Sequence, residues 1–156
     1  MKRKWRLYLD TSVFGGVFEA GEGRDVASRQ VLDAVLDGQA VACFSDTVVR
    51  ELADAPERVR RLLESLPIEC REEIAIDREI RALSQAYLAA EVVGGKWIED
   101  TLHVAAATVA RADAIVSWNF KHMVRLDKIR AYNAVNLAEG YGMVQIVSPK
   151  EVNFDE

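Results

Sequence analysis

The chain has 156 residues, half of them apolar, with 25 acidic and 20 basic side chains and a formal net charge of −5. This length and apolar content suffice for one hydrophobic core, so we predict a single domain over residues 1–156. No apolar run approaches the roughly 20 residues of a membrane span or resembles a signal peptide, so we expect a cytoplasmic protein that does not contact a membrane. The negative charge argues against non-specific wrapping of nucleic acid but does not exclude a nuclease.

Short β-rich runs alternate with helical patterns along the chain. Strands are predicted at 7–9, 41–44, 114–117 and 144–147. Helices are predicted at 25–36, 46–55, 57–66, 77–93, 99–111 and 128–139, while Gly15 and Gly16 mark a flexible connection and Cys70 lies in a mixed segment. Because strands separated by helices require crossover connections, the alternation predicts an α/β fold with a mainly parallel sheet and helices on both faces.

Three carboxylates occupy positions where an uncompensated charge is costly. Asp10 directly follows the first predicted strand, and parallel sheets bind ligands at the carboxyl ends of their strands. Glu51 borders the apolar stripe of its helix, and Asp100 lies in the first turn of a helix that is apolar nearly all round. Burying an isolated carboxylate costs several kcal/mol or more, so acids in such settings usually meet at a cation. If the three converge, their oxygens form a cage suited to Mg²⁺.

Each acid also has an ordinary structural explanation. Asp10 is compatible with a turn-initiating aspartate, and Asp100 with a helix N-cap. Glu51 is compatible with a rim glutamate that pairs with Arg50 or Arg81. The coincidence of three such acids in one small α/β chain favours a shared site.

Four short segments occur in a recognisable order. They are Leu9-Asp10-Thr11-Ser12, Glu51 on the helix after the second strand, the segment from Asp100 to Ala105, and the strand end from Asp113 to Asn119. In order and spacing they resemble the PIN domain, particularly its VapC-like toxin branch, over almost the whole chain. The resemblance implies a three-layer α/β/α sandwich and RNA cleavage that depends on Mg²⁺ or Mn²⁺. It also implies a homodimer and an antitoxin partner whose tail occupies the active-site groove.

The acids of this family fall on Asp10, Glu51 and Asp100, which the resemblance makes the catalytic and metal-binding residues. We expect Asp10 and Asp100 to bind the metal, and Glu51 to position the attacking water or assist its deprotonation. Family members often carry a fourth acid, and this chain has Asn119 at that position. An amide oxygen can bind a metal but carries no charge, so a second ion is doubtful.

Further polar side chains are candidates for binding the substrate. Ser117 and Asn119 are expected to line the same mouth and bind water, metal or phosphate. Thr11 either offers a hydroxyl donor there or simply ends the strand and caps the segment after it. His122 either stacks on a base or binds a phosphate, or it only packs. His103 is expected to support the site rather than act as the general base.

Other functions fit the sequence less well. A haloacid-dehalogenase-type phosphatase needs a second acid two positions after its aspartate, where this chain has Ser12. A Rossmann domain would show a GxGxxG turn after the first strand, and none is present there. The remaining alternative is a catalytically weak or inactive member of the same fold that binds RNA or a partner protein.

Overall fold

Five parallel strands form the centre of the protein: β1 (Trp5–Leu9), β2 (Ala40–Ser45), β3 (Arg71–Ile74), β4 (Ala114–Val116) and β5 (Gln145–Val147). The structure is a computed structural model and describes residues 3–154. Within the sheet the strands lie in the order β3-β2-β1-β4-β5, and every neighbouring pair is parallel. The predicted parallel α/β sheet is therefore confirmed.

The helices form layers over the two faces of the sheet, as expected for a three-layer α/β/α sandwich. They are α1 (Thr11–Gly16), α2 (Arg24–Leu36), α3 (Asp46–Ala53), α4 (Glu57–Ser65), α5 (Arg78–Ala89), α6 (Ile98–Val109) and α7 (Leu126–Ala138). Within residues 3–154 no helix has the length and apolar character required to cross a lipid bilayer.

The order of the strands creates a switch point between β1 and β4. From β1 the chain continues outward to β2 and β3, and it then returns to the other side of β1 to add β4 and β5. Leu9 pairs in register with Val116, so Asp10 and Ser117, which come directly after these two strands, lie side by side. Open parallel sheets bind ligands in the crevice at such a point.

The strands that carry the site are buried on both sides. Leu7, Tyr8 and Leu9 of β1 are at most 4% exposed, as expected for a central strand covered by helices on each face. Every residue of α6 from Thr101 to Thr108 is also buried, which confirms the prediction of a buried helix after Asp100. Asp10 and Asp100 are therefore attached to the best-packed parts of the molecule.

The sequence did not predict β3. Its residues, Arg-Glu-Glu-Ile, are mostly charged because it is an edge strand that pairs only with β2. Glu72 of this strand accepts hydrogen bonds from Arg6 Nε (2.9 Å) and Nη2 (2.7 Å). Arg6 also donates Nη1 to Ala110 O, and its backbone N–H donates to Asp113. One arginine thus ties the edge strand to β1 and to the turn before β4.

The prediction of a flexible connection after the first strand is also wrong for the first part of that segment. Residues 11–16 form α1, which begins directly after Asp10. Gly16 ends this helix in close contact with α2 and with the loop after β4. A Cβ atom on Gly16 would lie 2.4 Å from Ser28 Oγ and 2.6 Å from Trp118 Nε1, two atoms that hydrogen-bond to each other. The glycine is required there because no side chain fits.

We predict that Gly16→Ala lowers the free energy of unfolding by about 1–3 kcal/mol, the usual cost of overpacking a buried site. Gly15→Ala is the matched control, since a Cβ at Gly15 meets nothing within 4 Å. It should be neutral or stabilise the protein by up to roughly 1 kcal/mol, because alanine favours a helix more than glycine does. Urea denaturation of both variants provides the measurement, and equal stabilities would contradict the packing described for Gly16.

Candidate active site

Asp10 is held rigidly at the carboxyl end of β1, where it caps α1. Its Oδ1 accepts hydrogen bonds from Ser12 N (3.1 Å) and Ser12 Oγ (2.5 Å), and its Oδ2 accepts one from Ser117 Oγ (2.6 Å). The aspartate is 5% exposed and Ser117 is fully buried. Ser117 thus fixes this carboxylate across the switch point, and the predicted neighbourhood of the two residues is observed.

Burial raises the pKa of the Asp10 carboxyl, and the charge of Glu51 adds to the rise. The positive charge of His103 and the hydrogen bonds from Ser12 and Ser117 oppose it without cancelling it. An ionised carboxylate in such surroundings is stabilised by any added cation.

Glu51 forms part of a buried hydrogen-bonded chain. Its Oε1 accepts hydrogen bonds from His103 Nε2 (2.7 Å) and Thr11 Oγ1 (2.8 Å). On the other side of the ring, His103 Nδ1 lies 2.7 Å from Tyr8 Oη, which lies 2.7 Å from Ser45 Oγ. When the imidazole is protonated, both its nitrogens donate, and the Tyr8 hydroxyl donates its own proton to Ser45. The chain fixes the orientation of Glu51.

The hydrogen-bonded chain favours the protonated, cationic form of His103. Burial disfavours its charged form, but the hydrogen bond to Glu51 and the charges of Asp10, Glu51 and Asp100 raise its pKa above the ordinary value. Burial likewise acts against the charge on Glu51, yet the hydrogen bond and positive charge of His103 lower the pKa of that carboxyl. Arg50, one of the alternative partners of Glu51, forms its ion pair with Glu99.

Asp100 lies in the first turn of α6 but does not cap it, because the N-cap position belongs to Trp97. Burial raises the pKa of the Asp100 carboxyl, and the charge of Asp10 raises it further. The positive charge of His103 and a hydrogen bond from Asn119 have the opposite effect. The charge of Asp10 thus acts on Asp100, so the two carboxylates lie near each other at the mouth of the site.

Asn119 supports Asp100 through its amide group. The side-chain Oδ1 accepts a hydrogen bond from the backbone N–H of His122 (2.9 Å), which leaves the Nδ2 group as the part of the amide that lowers the pKa of the Asp100 carboxyl. The backbone N–H of Asn119 donates to Ser117 Oγ (2.9 Å). In this arrangement the oxygen that was expected to bind a metal is already used inside the loop.

The donor set fits a divalent cation held by two carboxylates. Among residues 3–154, no group of three or more His, Cys, Asp or Glu side chains is arranged to hold a metal ion. Asp10 and Asp100 are nevertheless the two acids of the site whose pKa is raised, whereas Glu51 has His103 as its cationic partner. Mg²⁺ commonly keeps several waters and uses only one or two protein carboxylates together with substrate phosphates.

Two residues of the site were not predicted from the sequence. Tyr8 and Ser45 occupy buried strand positions and hold His103 from behind. The only available signal was a hydroxyl group within each of two otherwise apolar strands. Thr11, which was predicted to contact substrate or to cap, donates its hydroxyl to Glu51.

Comparison with known proteins supports the fold. No protein-family model matches the sequence, and no curated protein matches it. Twelve chains of solved structures are similar, among them the two that follow. One is a toxin-antitoxin complex from Klebsiella pneumoniae (18% identity, TM-score 0.55), where the match covers 74% of this chain and 88% of the other. The second is VapC20 from Mycobacterium tuberculosis, a sarcin-ricin loop cleaving toxin (12% identity, TM-score 0.57), where the match covers 88% and 98%. The protein therefore has the fold of VapC toxins, as the resemblance predicted.

We predict that His103→Gln destabilises the metal-free protein more at pH 6 than at pH 9. Because the pKa of His103 is raised in the folded state, its stabilising effect is complete below its unfolded value of about 6.5. The effect is lost as the pH rises through the higher folded value. Glutamine stays neutral and can still donate to Glu51, so urea denaturation in chelator isolates the contribution of the charge.

His122 provides the control for this experiment, because burial and the nearby Lys121 and Lys128 lower its pKa. His122→Gln should therefore not destabilise the protein preferentially at pH 6. If His103→Gln lowers the free energy of unfolding equally at pH 6 and pH 9, the assignment of His103 as an internal cation is contradicted.

Proposed function

We propose that this protein is a divalent-metal-dependent endoribonuclease of the toxin type, inhibited by a partner antitoxin. The observation that carries the proposal is the convergence of Asp10 and Asp100, two carboxylates with raised pKa values, on the switch point of a parallel sheet. The similarity in fold to a toxin that cleaves the sarcin-ricin loop supports RNA as the substrate class.

Asp10 and Asp100 would hold the ion, either Mg²⁺ or Mn²⁺. Such a cation supplies Lewis acidity and neutralises the charge that develops on the phosphoryl oxygens. Asp10 is suited to this task because Ser12 and Ser117 already fix its orientation. Little conformational entropy is therefore lost when its side chain binds an ion. The Asn119 amide group lies near Asp100 and lowers the pKa of its carboxyl.

Glu51 is suited to orienting the attacking water. Both of its hydrogen bonds from described residues end on Oε1, which leaves Oε2 to accept one from a water molecule. Its lowered pKa makes it a weak base at neutral pH, so positioning the water is a better role for it than removing the proton. His103 acts through Glu51 and is a positioning residue.

We also propose that the antitoxin inhibits through the same acids. An arginine or lysine of the partner can pair with Asp10 and Asp100 and exclude the metal, because a guanidinium or ammonium satisfies the same carboxylates. Inhibition should then weaken as the concentration of divalent ion rises. By the same resemblance we propose a homodimer, which analytical ultracentrifugation of the purified protein tests.

We predict that Asp10→Asn and Asp100→Asn each lower metal-dependent RNA cleavage by at least roughly 100-fold while the fold is kept, a loss typical of a positioned catalytic group. Cleavage of a labelled RNA in Mg²⁺ or Mn²⁺ measures the rate, and circular dichroism checks the fold. Asp33→Asn on the exposed side of α2 is the matched control and should cleave at the wild-type rate. Unchanged cleavage in both site variants would disprove the active-site assignment.

In cells, we predict that expression of this chain alone slows growth through RNA cleavage and that Asp10→Asn removes the effect. Co-expression of the antitoxin, encoded beside this gene if the proposal holds, should restore growth. Growth curves of wild type, variant and co-expressing strains provide the test. Equal toxicity of wild type and Asp10→Asn would mean that the growth defect does not come from catalysis.

A further inference from the structure

An aromatic pair lies beside the acidic site, on the side of Asp100. Trp97 and His122 stack with ring centroids 4.3 Å apart and an interplanar angle of 35°. The ammonium groups of Lys96 and Lys121 approach the same indole, at 5.0 Å and 5.5 Å from the ring centroid. Neither lysine forms an ion pair with any residue that the structure describes.

His122 is half-buried, and its ring makes no hydrogen bond to any described residue. Both nitrogens of its ring are shielded from solvent and have no partner among the described residues. A buried polar atom without a partner is unfavourable, so His122 is not placed here for its own hydrogen bonding. Its pKa is lowered by burial and by Lys121 and Lys128 nearby, so the ring is neutral at physiological pH. A neutral flat ring is a suitable support for the indole.

The pair is physically connected to the acids. Trp97 lies one helical turn before Asp100, at the N-cap of α6. On the other side, the backbone N–H of His122 donates to Asn119 Oδ1, and the same side chain contacts Asp100. A ligand stacked on Trp97 would therefore lie next to the acids.

Charge is distributed unevenly around the site. The chain is acidic overall, and the mouth itself contains Asp10, Glu51 and Asp100. Lys96 and Lys121 place positive charge next to this mouth, and no ion pair among the described residues neutralises them. A polyanion that must reach the acids is therefore attracted from this side.

We propose that Trp97, supported from behind by His122, is a stacking platform for one nucleobase of single-stranded RNA, with Lys96 and Lys121 contacting the adjacent phosphates. The inference rests on the proposed ribonuclease function and adds a binding subsite to it. Trp97 is half-exposed. Single-stranded nucleic acids are commonly bound by aromatic faces with cations nearby. Stacking uses the face that every base has, so the platform positions the strand without selecting its sequence.

The test compares Trp97→Ala with Trp97→Phe. Stacking on an aromatic side chain contributes to the free energy of RNA binding. Removal of the indole in Trp97→Ala should therefore raise the KM for a single-stranded RNA about tenfold. The kcat should change less than about threefold, because Trp97 does not touch the reacting phosphate, whereas Trp97→Phe should keep most of the wild-type KM. The matched control is Trp5→Ala, since Trp5 is also partly exposed but lies at the amino end of β1, away from the acids.

Two further measurements separate stacking from other roles. Both measurements use the Asp10→Asn background, which prevents cleavage. For a labelled RNA, Trp97→Ala should raise the dissociation constant about tenfold. For an oligonucleotide that lacks the base at the stacked position, the same substitution should raise the dissociation constant less than threefold. The His122→Phe variant should bind RNA as tightly as the wild-type protein, because phenylalanine keeps the flat support under Trp97. It should also be at least as stable to urea, because the substitution removes two unpaired nitrogens.

The outcomes distinguish this inference from the proposed function. If the unaltered protein does not cleave RNA, the ribonuclease proposal fails, and the subsite fails with it. If the unaltered protein cleaves RNA and Trp97→Ala has the wild-type KM, only the platform is disproved. If His122→Phe weakens RNA binding as much as Trp97→Ala does, the imidazole itself contacts RNA. That result would overturn the role of His122 as a support.

Discussion

The hydrogen bond between His103 and Glu51 determines how charge is divided in the site. Three acids lie close enough to affect one another, but the imidazole bonds to only one of them. Glu51 is thereby kept ionised and fixed, while Asp10 and Asp100 keep raised pKa values that an external cation would lower. The protein thus supplies one internal countercharge for three carboxylates, and the remaining two are the acids at which we propose that a cation or a cationic partner side chain binds.

The parts of this arrangement that depend on local pattern could be predicted from the sequence. A strand ending directly before Asp10 and a nearly all-apolar helix after Asp100 are features that burial imposes on nearby residues. They were sufficient for the fold class, and they singled out acids that the structure places near one another. The edge strand β3 was not predictable by the same rule, because a strand with one neighbour keeps charged side chains and lacks the apolar pattern.

Other features depend on contacts between distant parts of the chain. The orientation of the Asn119 amide is set by a backbone N–H three residues later, and Tyr8 meets His103 across 95 residues. No local pattern reports either contact. The same holds for Gly16, which reads as a flexible residue in the sequence but is a close-packing point between α1, α2 and Trp118.

The Arg6 contacts have a consequence for how this fold can diverge. Arg6 joins β1, β3 and the turn before β4 at the amino ends of the strands, whereas the acids and the aromatic pair lie at the carboxyl ends. Strand register is thus secured at one end of the sheet, independently of the loops at the other. Substitutions in those loops can accumulate without displacing the strands, so the residues around the site can change between descendants while the scaffold remains the same.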